Sequence, residues 1–399
     1  MGEYYPVFDN GEVKAFINAG GDVISMLDSH GEKFFLWISR SEGVNISTLL
    51  RGRYLVVDDR KLWIARLLDP APTLYGYVAY NLDAYVDFLA SKVREKLRYK
   101  KVLLSFSGGK DSIASLVVLL KLQEHIPFDL FVVYSYVPYL ESLRNDRFID
   151  YIERKLNIDI ERVEAPRDIM KRVLFDSGLP FRGYRWCTYL KIKPIRKLKR
   201  EKRIDFEVSN ERLFEASKRF KSLLSYARQG IFISGGQFKP MYPLTILDVI
   251  KLNREINLVH PDYLNGCSRI SCALCPYRMI YEIKEGYKDV EDPGVIEKAL
   301  QIGYEKFYKA RIDWDTYLEH ELWRFHPEQA ELLSRIIKKL KKREYEEKIS
   351  EETIRELISN PWMVDLPSHP IISLDTIFVK AREWSRKPIY SVINPPWKK

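Results

Sequence analysis

The apolar run Val102-Leu103-Leu104 passes directly into Ser105-Phe106-Ser107-Gly108-Gly109-Lys110-Asp111-Ser112. The run predicts a strand. Beyond the loop, Ile113, Leu116, Val117 and Leu120 at i, i+3, i+4 and i+7 predict a helix packed on a sheet. A strand, a Ser/Gly loop and a helix in that order are built to hold phosphates. Glycines let the backbone come close, successive N–H groups converge on oxyanions, and the helix presents its positive end. Ser105, Ser107, Gly108, Gly109, Lys110, Asp111 and Ser112 are therefore candidate nucleotide-binding residues, with Lys110 adding a point charge. The pattern Gly-x-x-x-x-Gly-Lys-Ser/Thr cannot be laid on this loop, which excludes the Walker A class.

Strand and helix signals alternate around the loop. A helix is predicted from Asn81 to Arg98, with Leu82, Tyr85, Val86 and Leu89 on one face. Strand Val102 to Phe106, the helix after the loop, strand Phe128 to Tyr134 and helix Asp146 to Leu156 follow. This βαβα order predicts an α/β domain with a parallel sheet, whose ligands sit at the carboxyl ends of the strands. Residues 1–70 read as a small β-rich accessory unit, with an Asn10-Gly11 hairpin signal and strands at Lys33 to Ile38 and Tyr54 to Val57. The breaker-rich Asp69-Pro70-Ala71-Pro72 ends it. Residues 73–284 form the nucleotide unit. Residues 285–399 read as helical and basic, with a helix from Glu328 to Glu347 and a cationic run from Arg335 to Arg343. That run is either a solvated face or a contact surface for nucleic-acid phosphates.

The 399 residues carry 65 Lys and Arg against 55 Asp and Glu, a net charge of +10. The surplus favours a polyanionic partner, although heavily charged thermophilic surfaces look similar. No apolar run reaches the length of a bilayer span and Met1-Gly2-Glu3-Tyr4-Tyr5 does not start a leader, so a cytoplasmic location and no membrane partner are expected. Of the four cysteines, Cys267, Cys272 and Cys275 lie close together and Cys187 stands apart in Arg185-Trp186-Cys187-Thr188. Such spacing points to metal ligation rather than a disulfide, and four thiolates satisfy either a 4Fe-4S cluster or tetrahedral zinc. Three clustered ligands and one distant one favour the iron–sulfur choice, with zinc, or unligated structural or redox thiols, as the alternatives.

The loop Ser107 to Ser112 resembles the PP-loop, Ser-Gly-Gly-x-Asp-Ser, of the N-type ATP pyrophosphatases and sulfonucleotide reductases. Three further patches are similar to the phosphoadenosine phosphosulfate (PAPS) reductase family. These are Cys187 followed by Lys191-Ile192-Lys193-Pro194, then Arg212-Leu213-Phe214-Glu215-Ala216-Ser217-Lys218-Arg219, then His260-Pro261 through Cys275-Pro276. The chain departs from the family at Asn210, where Gly is usual, and at Ala216, where Ser is usual. It also has no cysteine after Cys275 to serve as the reductases' nucleophile. The size of residues 1–70 and the piece Leu50 to Val57 are similar to PUA-type RNA-binding barrels.

The resemblance implies an adenine-nucleotide hydrolase-like fold that binds ATP, with Lys191 joining the loop residues on the nucleotide. It assigns Lys110, Asp111, Arg212 and Arg219 to catalysis, Mg²⁺ being held through Asp111. ATP would be split between its α and β phosphates, the acceptor adenylated, and the adenylate displaced by sulfur or nitrogen, making the chain a transferase. Cys187 is then either the fourth cluster ligand or a free sulfur carrier. A tRNA acceptor accounts for the basic surplus, while the sulfur donor is not indicated. Two alternatives stand: a PAPS or adenylyl sulfate reductase using an external thiol, and a non-catalytic nucleic-acid-binding protein.

Overall fold

The computed structural model describes residues 3–20, 22–52, 54–57, 59–63, 75–342, 347–366 and 368–384. Asp69 to Pro72, Arg343 and the carboxyl-terminal residues from 385 lie outside them. Asn10 and Gly11, at φ of 49° and 78°, turn the chain between β1 (Tyr5–Asp9) and β2 (Glu12–Gly20), as a two-residue hairpin requires. Strands β3 (Val23–Asp28), β4 (Gly31–Trp37) and β5 (Glu42–Asn45) continue this antiparallel meander. A second sheet of β6 (Leu50–Arg51), β7 (Tyr54–Val57) and β8 (Arg60–Trp63) follows.

Asn81 caps α1 (Leu82–Leu97) by accepting from the Ala84 N–H, one residue inside each predicted limit. The chain then runs through β9 (Lys101–Phe106), α2 (Lys110–His125), β10 (Asp129–Tyr136), α3 (Leu143–Leu156), β11 (Ile160–Glu164), α4 (Arg167–Ser177) and α5 (Trp186–Glu201). Next come β12 (Phe206–Val208), α6 (Ser217–Gln229), β13 (Ile233–Ser234), β14 (Gln237–Phe238), α7 (Ile246–Glu255) and α8 (Pro261–Leu264). The sheet order is β11-β10-β9-β12-β14-β13, parallel except for β13. From β9 the chain moves to one side and later returns as β12 on the other, so the loop after β9 lies at the switch point where such sheets bind ligands. The fold is the expected α/β class.

Helices α9 (Ile280–Gly286), α10 (Pro293–Gly303), α11 (Trp314–Glu319) and α12 (Pro327–Leu340) lead to β15 (Lys348–Ser350), α13 (Glu351–Met363) and α14 (Leu374–Trp384). This last region is not a separate unit. β15 pairs with β5 and completes the first sheet, α13 lies on β1, and α14 packs on α6. One face of the first sheet buries Ile17, Phe35 and Trp37 against Tyr281, Ile349 and Ile354. The other buries Phe8 and Phe16 against Tyr77 and Leu247. A sheet covered on both faces by later segments is part of the main body rather than an accessory at residues 1–70. Among the described residues no helix is long and apolar enough to cross a membrane.

Candidate active site and thiol cluster

The loop after β9 needs its glycine. Gly108 sits at φ +72°, and a Cβ there would stand 2.6 Å from Asn145 Oδ1. Ser112 Oγ donates to the Gly109 carbonyl at 2.8 Å and accepts from the Ser107 N–H at 3.3 Å, tying the loop to the first turn of α2. The Lys110 N–H donates to Tyr263 Oη at 3.1 Å. Ser107, Gly109, Lys110, Asp111 and Ser112 line a cavity of about 820 Å³, whereas Ser105 and Gly108 do not. Ser105 accepts through its backbone carbonyl from Asn210 at 3.5 Å.

A chain of alternating charges backs the loop. Lys110 Nζ lies 2.9 Å from Asp111 Oδ2, and Asp111 Oδ1 accepts from Arg212 Nε at 2.7 Å. Both terminal nitrogens of Arg212 donate to the Glu3 carboxylate, one of them at 2.5 Å. Burial works against the charge on Asp111, but Arg212 and Lys110 outweigh it and hold the carboxyl well below the usual carboxylate range. Burial opposes the Lys110 charge too, and Asp111 reverses that effect. The surroundings of two expected site residues are defined here. Arg212 is fully buried with its guanidinium engaged on both sides, so it anchors Asp111 instead of gripping a phosphate. Asp111 has a cation on each oxygen and lines the cavity.

Other cavity residues escaped the sequence reading. Tyr5 places its ring 5.5 Å from Lys110 Nζ, and Glu3 and Tyr5 come from the amino-terminal segment. Glu215, part of the quoted Arg/Glu patch, is pushed up to about 7 by burial and by the charge of Asp111. Arg219 lines the cavity but pairs with Glu211, with Glu215 at 3.8 Å. Arg182, Tyr277 and Phe325 also line the cavity, with Arg182 held 2.8 Å from Asp22 and 4.3 Å from the Phe325 ring centre. Motif spacing gave no sign of Glu3, Tyr5 or Arg182. Charge balance signals one further carboxylate, since Lys110 and Arg212 demand more than Asp111 supplies, but it names no residue.

Three of the cysteines neighbour one another, and Arg278 neighbours both Cys275 and Cys267. Cys187, on the first turn of α5, shares an electrostatic neighbourhood with Cys272 and Cys275, and the Cys275 N–H donates to the Cys272 carbonyl at 3.1 Å. Lys191 faces these sulfurs and the buried Glu141, not the nucleotide loop as expected. Cys272 Sγ lies 3.8 Å from Glu141 Oε2. Cys267 lies by Glu282 and Arg278, its thiol pushed up to about 12 by burial and by the charge of Glu282. Among the described residues no three Cys, His, Asp or Glu side chains are arranged to hold a metal ion. In donor type and charge, three thiols beside a buried ammonium suit an iron–sulfur cluster, and they fall one short of a closed four-thiolate zinc site. Ser268, Arg269 and Ile270 join the two regions, lining the cavity between Cys267 and Cys272.

Residues 101–278 match the model of the phosphoadenosine phosphosulfate reductase domain. An uncharacterised protein of Methanocaldococcus jannaschii is 28% identical over 239 residues, 58% of this chain and 47% of that protein. The chain therefore spans about half the length of that relative. Among solved structures, the U34-tRNA thiolase NcsA from Methanococcus maripaludis with its 4Fe-4S cluster aligns with a TM-score of 0.33 at 14% identity, over 66% of this chain and 82% of that one. The NH3-dependent NAD synthetase of Campylobacter jejuni aligns at 0.32 and 16% identity, over 58% and 95%.

Proposed function

Since residues 101–278 belong to the phosphoadenosine phosphosulfate reductase domain family, within the PP-loop fold, we propose that this chain uses ATP to adenylate an RNA acceptor and couples that step to sulfur transfer. The observation that carries the reading is the shared wall at 268–270: one cavity opens on the nucleotide loop, and the segment lining it continues into the thiol patch. The loop amides, the α2 amino terminus and Lys110 would hold the phosphates of ATP. An acceptor oxygen bonds to the α-phosphorus, the bond from that phosphorus to the β-bridging oxygen breaks, and pyrophosphate leaves. Glu215, whose carboxyl titrates near neutrality in the same cavity, takes the acceptor's proton. Cys187, Cys272 and Cys275 would hold an iron–sulfur cluster, which would supply the sulfur chemistry when bound.

The test is anaerobic incubation with α-labelled ATP and bulk tRNA, following AMP and pyrophosphate. Turnover that falls roughly 100-fold or more in Lys110→Ala supports the reading. Release of sulfite from PAPS with a thiol donor, and none of pyrophosphate from ATP, would replace it with the reductase.

A further inference from the structure

The outward face of α5 carries a second, unassigned surface. Leu190 and Leu198 bury the inner side of this helix, and Leu198 meets Leu103 and Val133 of the parallel sheet. Tyr189, Lys193, Arg196, Lys197 and Arg200 are exposed at i, i+4, i+7, i+8 and i+11, which is one stripe of a helix. Exposed Tyr184 and Arg185 extend it past the helix start, giving a track of about 20 Å at 1.5 Å per residue.

Two features of the stripe make it costly as a mere solvated face. Lys193 with Lys197, and Arg196 with Arg200, set like charges four residues apart, which destabilises a helix. Among the described residues Lys193, Arg196 and Arg200 have no carboxylate within ion-pair reach, and Lys197 has only Glu201 at 3.7 Å. Tyr184 and Tyr189 expose 41% and 63% of their surface beside these cations. The basic run on α12 is different. Arg335 pairs with Glu331, Lys341 lies 2.6 Å from Glu319, and Lys338 is 3.8 Å from Asp313. These three charges are compensated within the fold.

We propose that the α5 stripe binds single-stranded RNA, with backbone phosphates on Lys193, Arg196, Lys197 and Arg200 and unstacked bases on Tyr184 and Tyr189. The track ends where the acceptor is needed: Arg182 and Gly183 line the cavity, and Cys187 opens the helix. An acidic polypeptide would satisfy the cations but leave the tyrosines unused. The assignment of this track to an acceptor rests on the reading above, whereas binding along it requires no ATP.

Fluorescence anisotropy with a fluorescein-labelled, mixed-sequence single-stranded RNA tests the full chain. With four phosphates neutralised, log affinity should fall with log salt at a slope of about −3. Lys193→Glu with Arg196→Glu should weaken binding by about tenfold or more at low salt and flatten that slope. Tyr189→Ala should weaken it several-fold at unchanged slope, and Lys338→Glu with Lys341→Glu should bind like the parent. Should the charge reversal lower the melting temperature, Lys193→Gln with Arg196→Gln takes its place. The proposal is overturned if the α5 variants bind like the parent, if the α12 variant loses as much, or if polyaspartate of equal charge displaces the RNA while Tyr189→Ala has no effect. Pyrophosphate release is scored separately, so bound RNA without turnover counts against ATP activation and not against the track.

Discussion

Lys110, Asp111, Arg212 and Glu3 form a set of two cations and two carboxylates in which each group is held by the next. Neutrality of the set is what allows Arg212 to be fully buried. Glu3→Gln removes one charge and leaves the guanidinium with half its compensation. Breaking a buried pair from one side costs about 3–5 kcal/mol, so urea unfolding should show a loss of that order, and Lys110 should lose its alignment with it. An unchanged midpoint would mean that Glu3 does not support Arg212. The sequence displayed Asp111 and Arg212 as charged motif residues but could not pair Arg212 with a residue 209 positions away, since any carboxylate in the chain could have served. Glu215 gives a pH test with a definite sign. Its carboxyl rises from near 4.5 to about 7 on folding, so the folded state binds the extra proton, and stability falls as pH rises between those values. Glu215→Gln should be more stable than the parent above pH 7, and the gap in melting temperature should close as pH falls below about 5. A gap independent of pH would contradict the raised carboxyl.

Elements marked by their own residues were legible: α1 by its Asn81 cap, the first hairpin by Asn10-Gly11, and β9 with α2 by the loop between them. Those defined by partners were not. α2 has one expected apolar face, yet Ala114, Val118 and Leu119 are buried as well, because α1 and α7 both pack against it. Strands β12, β13 and β14, of two or three residues, have no periodicity to read and exist because β9 offers β12 an edge, β12 offers one to β14, and β14 one to β13. The cysteine-bearing segments show the same limit. Spacing grouped Cys267 with Cys272 and Cys275, but the turn at Gly266, with φ of +74°, accompanies a Cys267 turned toward Arg278 and Glu282. After anaerobic reconstitution, Cys187→Ala, Cys272→Ala and Cys275→Ala should each lose most of the bound iron, while Cys267→Ala retains it. Retained iron in Cys187→Ala, or its loss in Cys267→Ala, would reverse the assignment.

At the scale of the whole molecule, the order of segments along the chain conceals how they are joined. Asp22, beside the first sheet, forms an ion pair with Arg182 of the nucleotide region at 2.8 Å and accepts from Arg324 of the carboxyl-terminal region. Arg324 also donates to the Arg278 carbonyl at 2.7 Å, so one buried carboxylate ties three stretches of sequence together around the cavity. With β15 on its edge and later helices on both faces, the first sheet has no surface of its own on which to fold independently. Reading 1–70 as an accessory followed from composition and breakers, which report local stiffness and say nothing about which distant apolar surface completes a sheet. A protease site built into residues 69–72 and cut in the folded protein therefore tests the architecture directly. The two pieces should co-elute on size exclusion in native buffer and unfold in a single transition by both tryptophan fluorescence and far-ultraviolet circular dichroism. An amino-terminal piece that elutes alone and retains strand signal would show a separable domain, and Glu3 and Tyr5 would then be visitors to the site and not part of it.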